Sequence, residues 1–128
     1  MDLTIFPSRL RGAVTPPASK SQAHRVLIAA ALTGRGTSVL RNLADSKDIQ
    51  ATCRCLTALG ARIDDLGGGT VRVSQGLGAG LAEAGPAPIL DCGESGSTLR
   101  FLIPVALLVN GKAEFTGQGR VMERRLKP

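Results

Sequence analysis

The sequence predicts an α/β or α+β chain built on a mixed sheet, and three observations carry that expectation. Apolar residues recur at helical spacing in several segments, short β-like stretches alternate with those segments, and Gly67-Gly68-Gly69 joins two of the stretches as a hairpin turn. The expected order is βαβαββ-like, with one more helix and strand appended. At 128 residues and 43% hydrophobic content, one domain is expected, since a chain of this length can bury roughly 70% of its unfolded surface.

Residues 1–18 read as a strand or lead-in segment. Leu27, Ala30 and Ala31 share one face of a helix expected over 21–32, closed by Gly34 and Gly36. A short strand follows over 37–43. Asp45, Ser46 and Asp48 then offer capping and dipole-matching groups ahead of Ile49, Thr52, Cys53, Leu56 and Leu59, an apolar face at three- and four-residue spacing that ends at Gly60. Beyond Gly60 the period shortens to strands over 61–64 and 70–74. Residues 76–88 are dominated by Gly, Ala and Pro and read as a surface connection, after which 89–92 resumes a strand. Nearly every residue over 97–109 is apolar, which predicts a helix buried on most sides, with Pro104 either kinking it or starting its regular part. Asn110-Gly111 ends that helix, 112–116 forms a last strand, and 124–128 adds no element.

Sixteen Lys and Arg against ten Asp and Glu leave a formal charge of +6, so the surface field favours anions. Nucleic acid is an unsuitable partner: there is no Trp or Tyr, only Phe6, Phe101 and Phe115 could stack on bases, and the basic residues are dispersed apart from Arg124-Arg125. Met1-Asp2-Leu3-Thr4-Ile5 has neither a basic leader nor an apolar signal core, and no apolar stretch is long enough to cross a bilayer. The expectation is a cytoplasmic protein without a membrane partner. Cys53, Cys55 and Cys92 form an odd, unpaired set that suits a reducing compartment.

Three segments carry candidate chemistry. In Ser19-Lys20-Ser21-Gln22-Ala23-His24-Arg25 the unpaired N–H groups and positive dipole end of a first helical turn would welcome an anion. Ser21 and Arg25 lie four apart on one face and Lys20 stands at the helix start, a trio suited to phosphate or carboxylate. Spacing alone equally allows Ser19 or Ser21 to be a plain N-cap and the two cations to be solvated, and it leaves His24 an ordinary polar neighbour. The second segment, Asp91-Cys92-Gly93-Glu94-Ser95-Gly96-Ser97-Thr98-Leu99-Arg100, has glycines that permit close backbone approach and Ser97 and Thr98 where the next helix begins. It matches neither a Walker loop nor a nucleophile elbow and could be a capped strand-to-helix turn. The third, Gly117-Gln118-Gly119-Arg120-Val121-Met122-Glu123-Arg124, is a Gly-rich exit presenting Arg120 and Arg124 from a loop. No metal set is expected, because Cys53 and Cys55 lie two apart on a helix, pointing apart, and His24 is the single histidine. Asp64 and Asp65, adjacent at a turn, read as solvated rather than as an acid/base pair.

In this order and spacing the segments resemble the enolpyruvylshikimate-phosphate synthase family. The pattern Pro-x-Ser-Lys-Ser-x-x-His/Asn-Arg is matched at 17–25, Gly-x-Ser/Thr-x-x-Arg at Gly96 and Arg100, and the Arg120 loop resembles the family's third motif, with Asn42-Leu43 and Ser46-x-Asp48 between them. The resemblance implies that Lys20, Ser21 and Arg25 hold shikimate 3-phosphate, that Lys20 also faces phosphoenolpyruvate as the catalytic lysine, that Gly96 and Arg120 hold phosphoenolpyruvate, and that Arg100 supports the second segment. Glu94 stands where many members carry Asn, bringing a negative charge near an anionic substrate, and Ser97 where many carry Thr. The implied reaction uses no cofactor or metal. It protonates the methylene of phosphoenolpyruvate, adds the substrate hydroxyl at the neighbouring carbon and expels phosphate, and cationic groups offset the repulsion between the two anions. The resemblance further implies a two-lobed parent several times longer, whose remaining segments are needed to complete the site, so the chain alone is expected not to turn over. Two other readings stay open: a fragment like UDP-N-acetylglucosamine enolpyruvyl transferase, and a non-catalytic phosphate-binding module.

Overall fold

The computed structural model describes residues 2–9, 11–33, 36–77, 86–121 and 123. Residues 2–9 and 11–17 carry no helix or strand. Helix α1 (Lys20–Leu32) starts where the Ser19 hydroxyl accepts from the Gln22 N–H at 3.3 Å. It buries Ala23, Leu27, Ala30 and Ala31, the stripe expected of a helix covered on one side. Thr33 caps its end, donating from its backbone N–H to Ala29 O and from its hydroxyl to Ala30 O. Gly34, expected to close this helix, lies outside the described residues.

Strand β1 (Ser38–Leu40) is shorter than the 37–43 expected. Asn42 takes φ 58° and swings the chain out of the ladder, after which the Leu43 N–H donates to Gly69 O at 2.9 Å. Helix α2 (Lys47–Ala58) is capped by the Ser46 hydroxyl on the Ile49 N–H, and Asp48 faces its positive end. Leu59, expected on its apolar face, packs half-buried against the core from the C-cap position.

Strands β2 (Arg62–Gly67) and β3 (Thr70–Gln75) form the expected hairpin, extending past both sequence estimates. Gly68 and Gly69 have φ 58° and 69°, the left-handed pair that a two-residue turn matching the strand twist requires. A Cβ on Gly69 would stand 2.7 Å from Leu43 O, so the turn also depends on a bare α-carbon to dock under the β1 exit. Of the 76–88 connection, residues 78–85 lie outside the described residues; Leu77, just before them, is buried.

Strand β4 (Ile89–Asp91), helix α3 (Gly96–Asn110) and strand β5 (Glu114–Thr116) form a parallel crossover unit with Leu90 opposite Phe115. Helix α3 runs through Pro104, so its regular part starts at Gly96 rather than at the proline, and it ends on Gly111 in the left-handed conformation. It is less enclosed than its composition predicted. Leu107 and Leu108 are exposed, because only the face carrying Leu99, Leu102, Val105, Ala106 and Val109 has described structure to pack on. The expected mixed sheet is divided in two: β1-β3-β2 is antiparallel and β4-β5 parallel. Leu27, Leu56, Leu90 and Leu102, all fully buried, together with Val71 of β3 join the three helices and both sheets in one core. A single 3₁₀ turn, Gly119–Val121, follows β5, and the expectation for 124–128 falls outside the described residues. No helix is long and apolar enough to cross a membrane among the described residues.

Candidate anion-binding site

The three helices bring their N-terminal turns toward one another, and a chain of buried hydroxyls ties those turns together. His24 Nδ1 of α1 lies 2.8 Å from Thr52 Oγ1 of α2, which lies 2.8 Å from Thr98 Oγ1 of α3, itself donating to or accepting from Ser95 Oγ at 2.7 Å. The backbone carbonyl of Asp48 lies 3.3 Å from Thr52 Oγ1 and 3.2 Å from Thr98 Oγ1, and Ser95 Oγ accepts the Thr98 N–H that opens α3. His24, Thr52, Ser95 and Thr98 are each at most 2% exposed. Burial pushes the His24 imidazole below its ordinary range; Asp48 nearby works against this and Lys20 adds to it, so the ring is neutral at pH 7.

Around this buried link stand the exposed groups singled out by sequence. Lys20, Ser21 and Arg25 surround the first turn of α1, and the Lys20 ammonium donates to Asp48 Oδ2 at 2.8 Å. Neither α1 nor α3 has an acidic residue in its first turn, unlike α2 with Asp48. The positive ends of α1 and α3 are thus uncompensated by their own side chains, which leaves them able to take an external anion. Gly96 is half-buried as the first residue of α3, with Ser97 exposed on the same turn. Arg100 is exposed one turn further on.

The third segment joins the second through its backbone. Cys92 N–H donates to Thr116 O at 2.8 Å and Gln118 N–H to Gly93 O at 2.8 Å, so the exits of β4 and β5 run side by side and Arg120 stands exposed on the 3₁₀ turn. Gly119 has φ 60°, and a Cβ there would lie 3.2 Å from Glu94 Oε1, which places the Glu94 carboxylate against the Arg120 turn. Asp91 shapes the β4 exit, accepting the Gly93 N–H at 2.9 Å while its other oxygen meets Arg54 at 3.4 Å. Among the described residues Arg25, Arg100 and Arg120 make no ion pair. Arg124 lies outside the described residues.

Cys53 and Cys55 do diverge, as their spacing requires. Cys53 is half-buried in a groove of about 720 Å³ between α2 and the β2–β3 hairpin. That groove includes none of the sequence-predicted site residues, and the polar convergence lies instead at the helix N-termini. Cys55 is fully buried and donates to Asp91 O at 3.3 Å; its hydrogen bond with Cys92 and then burial push its thiol far up. Sequence reasoning placed Thr52 only on an apolar helix face, named Thr98 with Ser97 at the start of the second candidate segment without a partner for it, gave Ser95 no role of its own there, and treated His24 as a bystander. The available signal was three Ser- or Thr-capped helix starts, but nothing local shows that they converge.

The described residues thus form a basic α/β chain whose first and third helices start without acidic residues of their own, with those starts cross-tied by buried hydroxyls and with Lys20, Arg25, Arg100 and Arg120 exposed. Residues 6–128 match the family described as EPSP synthase (3-phosphoshikimate 1-carboxyvinyltransferase), and the chain belongs to that family. It is 42% identical over 125 residues to 3-phosphoshikimate 1-carboxyvinyltransferase of Clostridium perfringens strain SM101, covering 96% of this chain and 28% of the relative. The protein of the same name in Clostridioides difficile strain 630 is 41% identical over 129 residues, covering 97% of this chain and 29% of the relative. EPSP synthase from Acinetobacter baumannii superposes with a TM-score of 0.67 at 25% identity, over 90% of this chain and 25% of that structure. The chain therefore spans between a quarter and a third of the length of these relatives.

Proposed function

We propose that this chain supplies the first part of the site of an enzyme that transfers the enolpyruvyl group of phosphoenolpyruvate to shikimate 3-phosphate, releasing phosphate, in the cytoplasm. The observation that carries the reading is family membership over 6–128 together with Lys20, Ser21 and Arg25 around a helix start that has no acidic residue of its own. In this reading Lys20, Ser21 and Arg25 hold shikimate 3-phosphate. Gly96 and Arg120 hold phosphoenolpyruvate, Lys20 faces both anions as the catalytic lysine, and Arg100 supports the second segment. The α1 turn and the two side-by-side exits of β4 and β5 offer separate places for two anions that repel each other. Cationic groups fixed beforehand offset that repulsion without reorganising during the reaction.

Lys20 begins in an ion pair with Asp48, with the two side chains 51% and 32% exposed. A solvent-screened pair of this kind contributes at most about 1 kcal/mol, so a substrate phosphate can share or displace Asp48 at small cost. Acid/base groups and further phosphoenolpyruvate contacts belong, in this reading, to the rest of the parent enzyme, and the 128-residue chain by itself releases no phosphate from the two substrates above background.

The test is titration of the chain with shikimate 3-phosphate, followed by NMR. Signals of Lys20, Ser21 and Arg25 should move, and Arg25→Ala should weaken binding by roughly 10- to 100-fold, the equivalent of one charge-assisted hydrogen-bonding group. Equal response to unrelated phosphates, unchanged by Arg25→Ala, would instead identify a general phosphate-binding module. A UDP-sugar shifting these signals where shikimate 3-phosphate does not would assign the chain to the cell-wall transferase.

A further inference from the structure

We propose that His24 is a positioning residue which, through the hydroxyls of Thr52, Thr98 and Ser95, sets the N-terminal turn of α3 relative to the N-terminal turn of α1. Its consequence for ligands rests on the two-anion reading above, whereas the mechanical link rests on the structure alone. His24 directly precedes Arg25 and lies one turn beyond Lys20 and Ser21, so its ring moves with the α1 anion turn. At the other end, Ser95 Oγ caps α3 by accepting the Thr98 N–H, so it fixes the turn that presents Gly96 and Ser97.

Between these ends every atom is buried and every step is at most 2.8 Å. A hydroxyl has one hydrogen to give, so the state of His24 Nδ1 sets whether the Thr52 hydrogen is spent on the ring or is free for Thr98 or the Asp48 carbonyl. When Nδ1 carries a proton, Thr52 accepts it and turns its own hydrogen to Thr98 or to the Asp48 carbonyl; Thr98 then turns toward Ser95 or the same carbonyl. When Nδ1 is bare, as in the neutral Nε2–H tautomer whose protonation the titration below follows, Thr52 donates to the ring and is left to accept from Thr98. The α3 cap is the last member of this sequence, and low local dielectric strengthens the coupling along it.

Among the described residues the ring has no second hydrogen-bonding anchor. Nε2 is buried without a hydrogen-bond partner, and Phe101 of α3 packs on the ring at 6.0 Å between centroids with the planes tilted by 57°. The charged groups acting on the ring are Asp48 at the start of α2 and Lys20 on its own helix. Hydrogen bonding therefore leaves Thr52 as the ring's single route to the rest of the chain.

The experiment is an NMR pH titration of the intact chain from pH 7.5 downward, without ligand, observing the His24 ring nitrogens and the Gly96 and Ser97 amides together. Gly96 and Ser97 should follow the His24 midpoint. Thr98→Val, close in shape but without the hydroxyl, should abolish that response while His24 still titrates, and Thr98→Ser should restore it. Amides that ignore the His24 midpoint, or a response that survives in Thr98→Val, would overturn the proposal, and the wild-type arm alone decides the first point should the variant not fold. Shikimate 3-phosphate is then added. If it binds at the α1 turn, Gly96 and Ser97 should shift in the wild type and not in Thr98→Val. If it does not bind, the proposed function is at fault, and the ligand-free titration has already decided the link.

Discussion

Removing the Thr52 hydroxyl should cost more stability than removing that of Thr98, although both are fully buried and each has three polar neighbours. After Thr98→Val, Ser95 Oγ keeps the α3 N–H, Thr52 keeps His24 and the Asp48 carbonyl, and no buried group loses its last partner. That loss is one or two net hydrogen bonds, about 1–2 kcal/mol. After Thr52→Val, His24 Nδ1 has nothing left, and Nε2 is already without a partner. A buried imidazole with both nitrogens unpaired adds an unsatisfied-group penalty to the lost bonds, for a total of roughly 2–4 kcal/mol. Urea unfolding of the two variants and the wild type, followed by far-UV circular dichroism, measures the difference through the midpoints at a common slope. Equal destabilisation, or a larger effect for Thr98→Val, would refute the view that orphaning the histidine ring dominates.

The same ring predicts a pH dependence. Because burial holds the folded His24 below its unfolded value of about 6.5, the unfolded chain binds the proton first, so stability is full above pH 6.5 and declines as pH falls from there toward the folded midpoint. Comparing unfolding midpoints at pH 7.5 and 5.5 should show a loss in the wild type that Asn in place of His24 removes. Glu94→Gln, neutralising the carboxylate beside the Arg120 turn, should strengthen inorganic phosphate binding by about 2- to 10-fold in calorimetric titration at low salt; unchanged affinity would mean that Glu94 lies outside the anion's field. Iodoacetamide at pH 8 should label Cys53 slowly and leave Cys55 and Cys92 untouched in the folded chain, since Cys53 is half-buried with its thiol pushed up by burial and Asp65, and the other two are fully buried. Mass spectrometry of the peptides distinguishes the three sites.

Local patterns were enough to locate most of this molecule. Ser19 and Ser46 were legible as caps because a cap needs only its own next three residues, whereas α3 is capped by Ser95, two residues before the start the spacing predicted. The Gly67-Gly68-Gly69 hairpin was legible for the same reason, as was the grouping of Lys20, Ser21 and Arg25 around the start of α1. What sequence misjudged depended on distant partners: β1 ends early because Leu43 bonds to Gly69 and Asn42 turns left-handed, and α3 exposes Leu107 and Leu108 because burial is set by what packs against it.

The sequence by itself thus determined where the helices start and which side chains stand at those starts, since a cap and the side chains of one turn are properties of adjacent residues. Only the tertiary structure decided that His24 is a buried structural group rather than a polar neighbour. Its partners Thr52 and Thr98 come from two other helices, and a hydrogen bond of 2.8 Å between residues 28 or 46 positions apart leaves no trace in local spacing. The pairing of the β4 and β5 exits, which sets Glu94 against Gly119 and fixes the Arg120 turn beside the start of α3, was likewise decided by the parallel register and not by any motif.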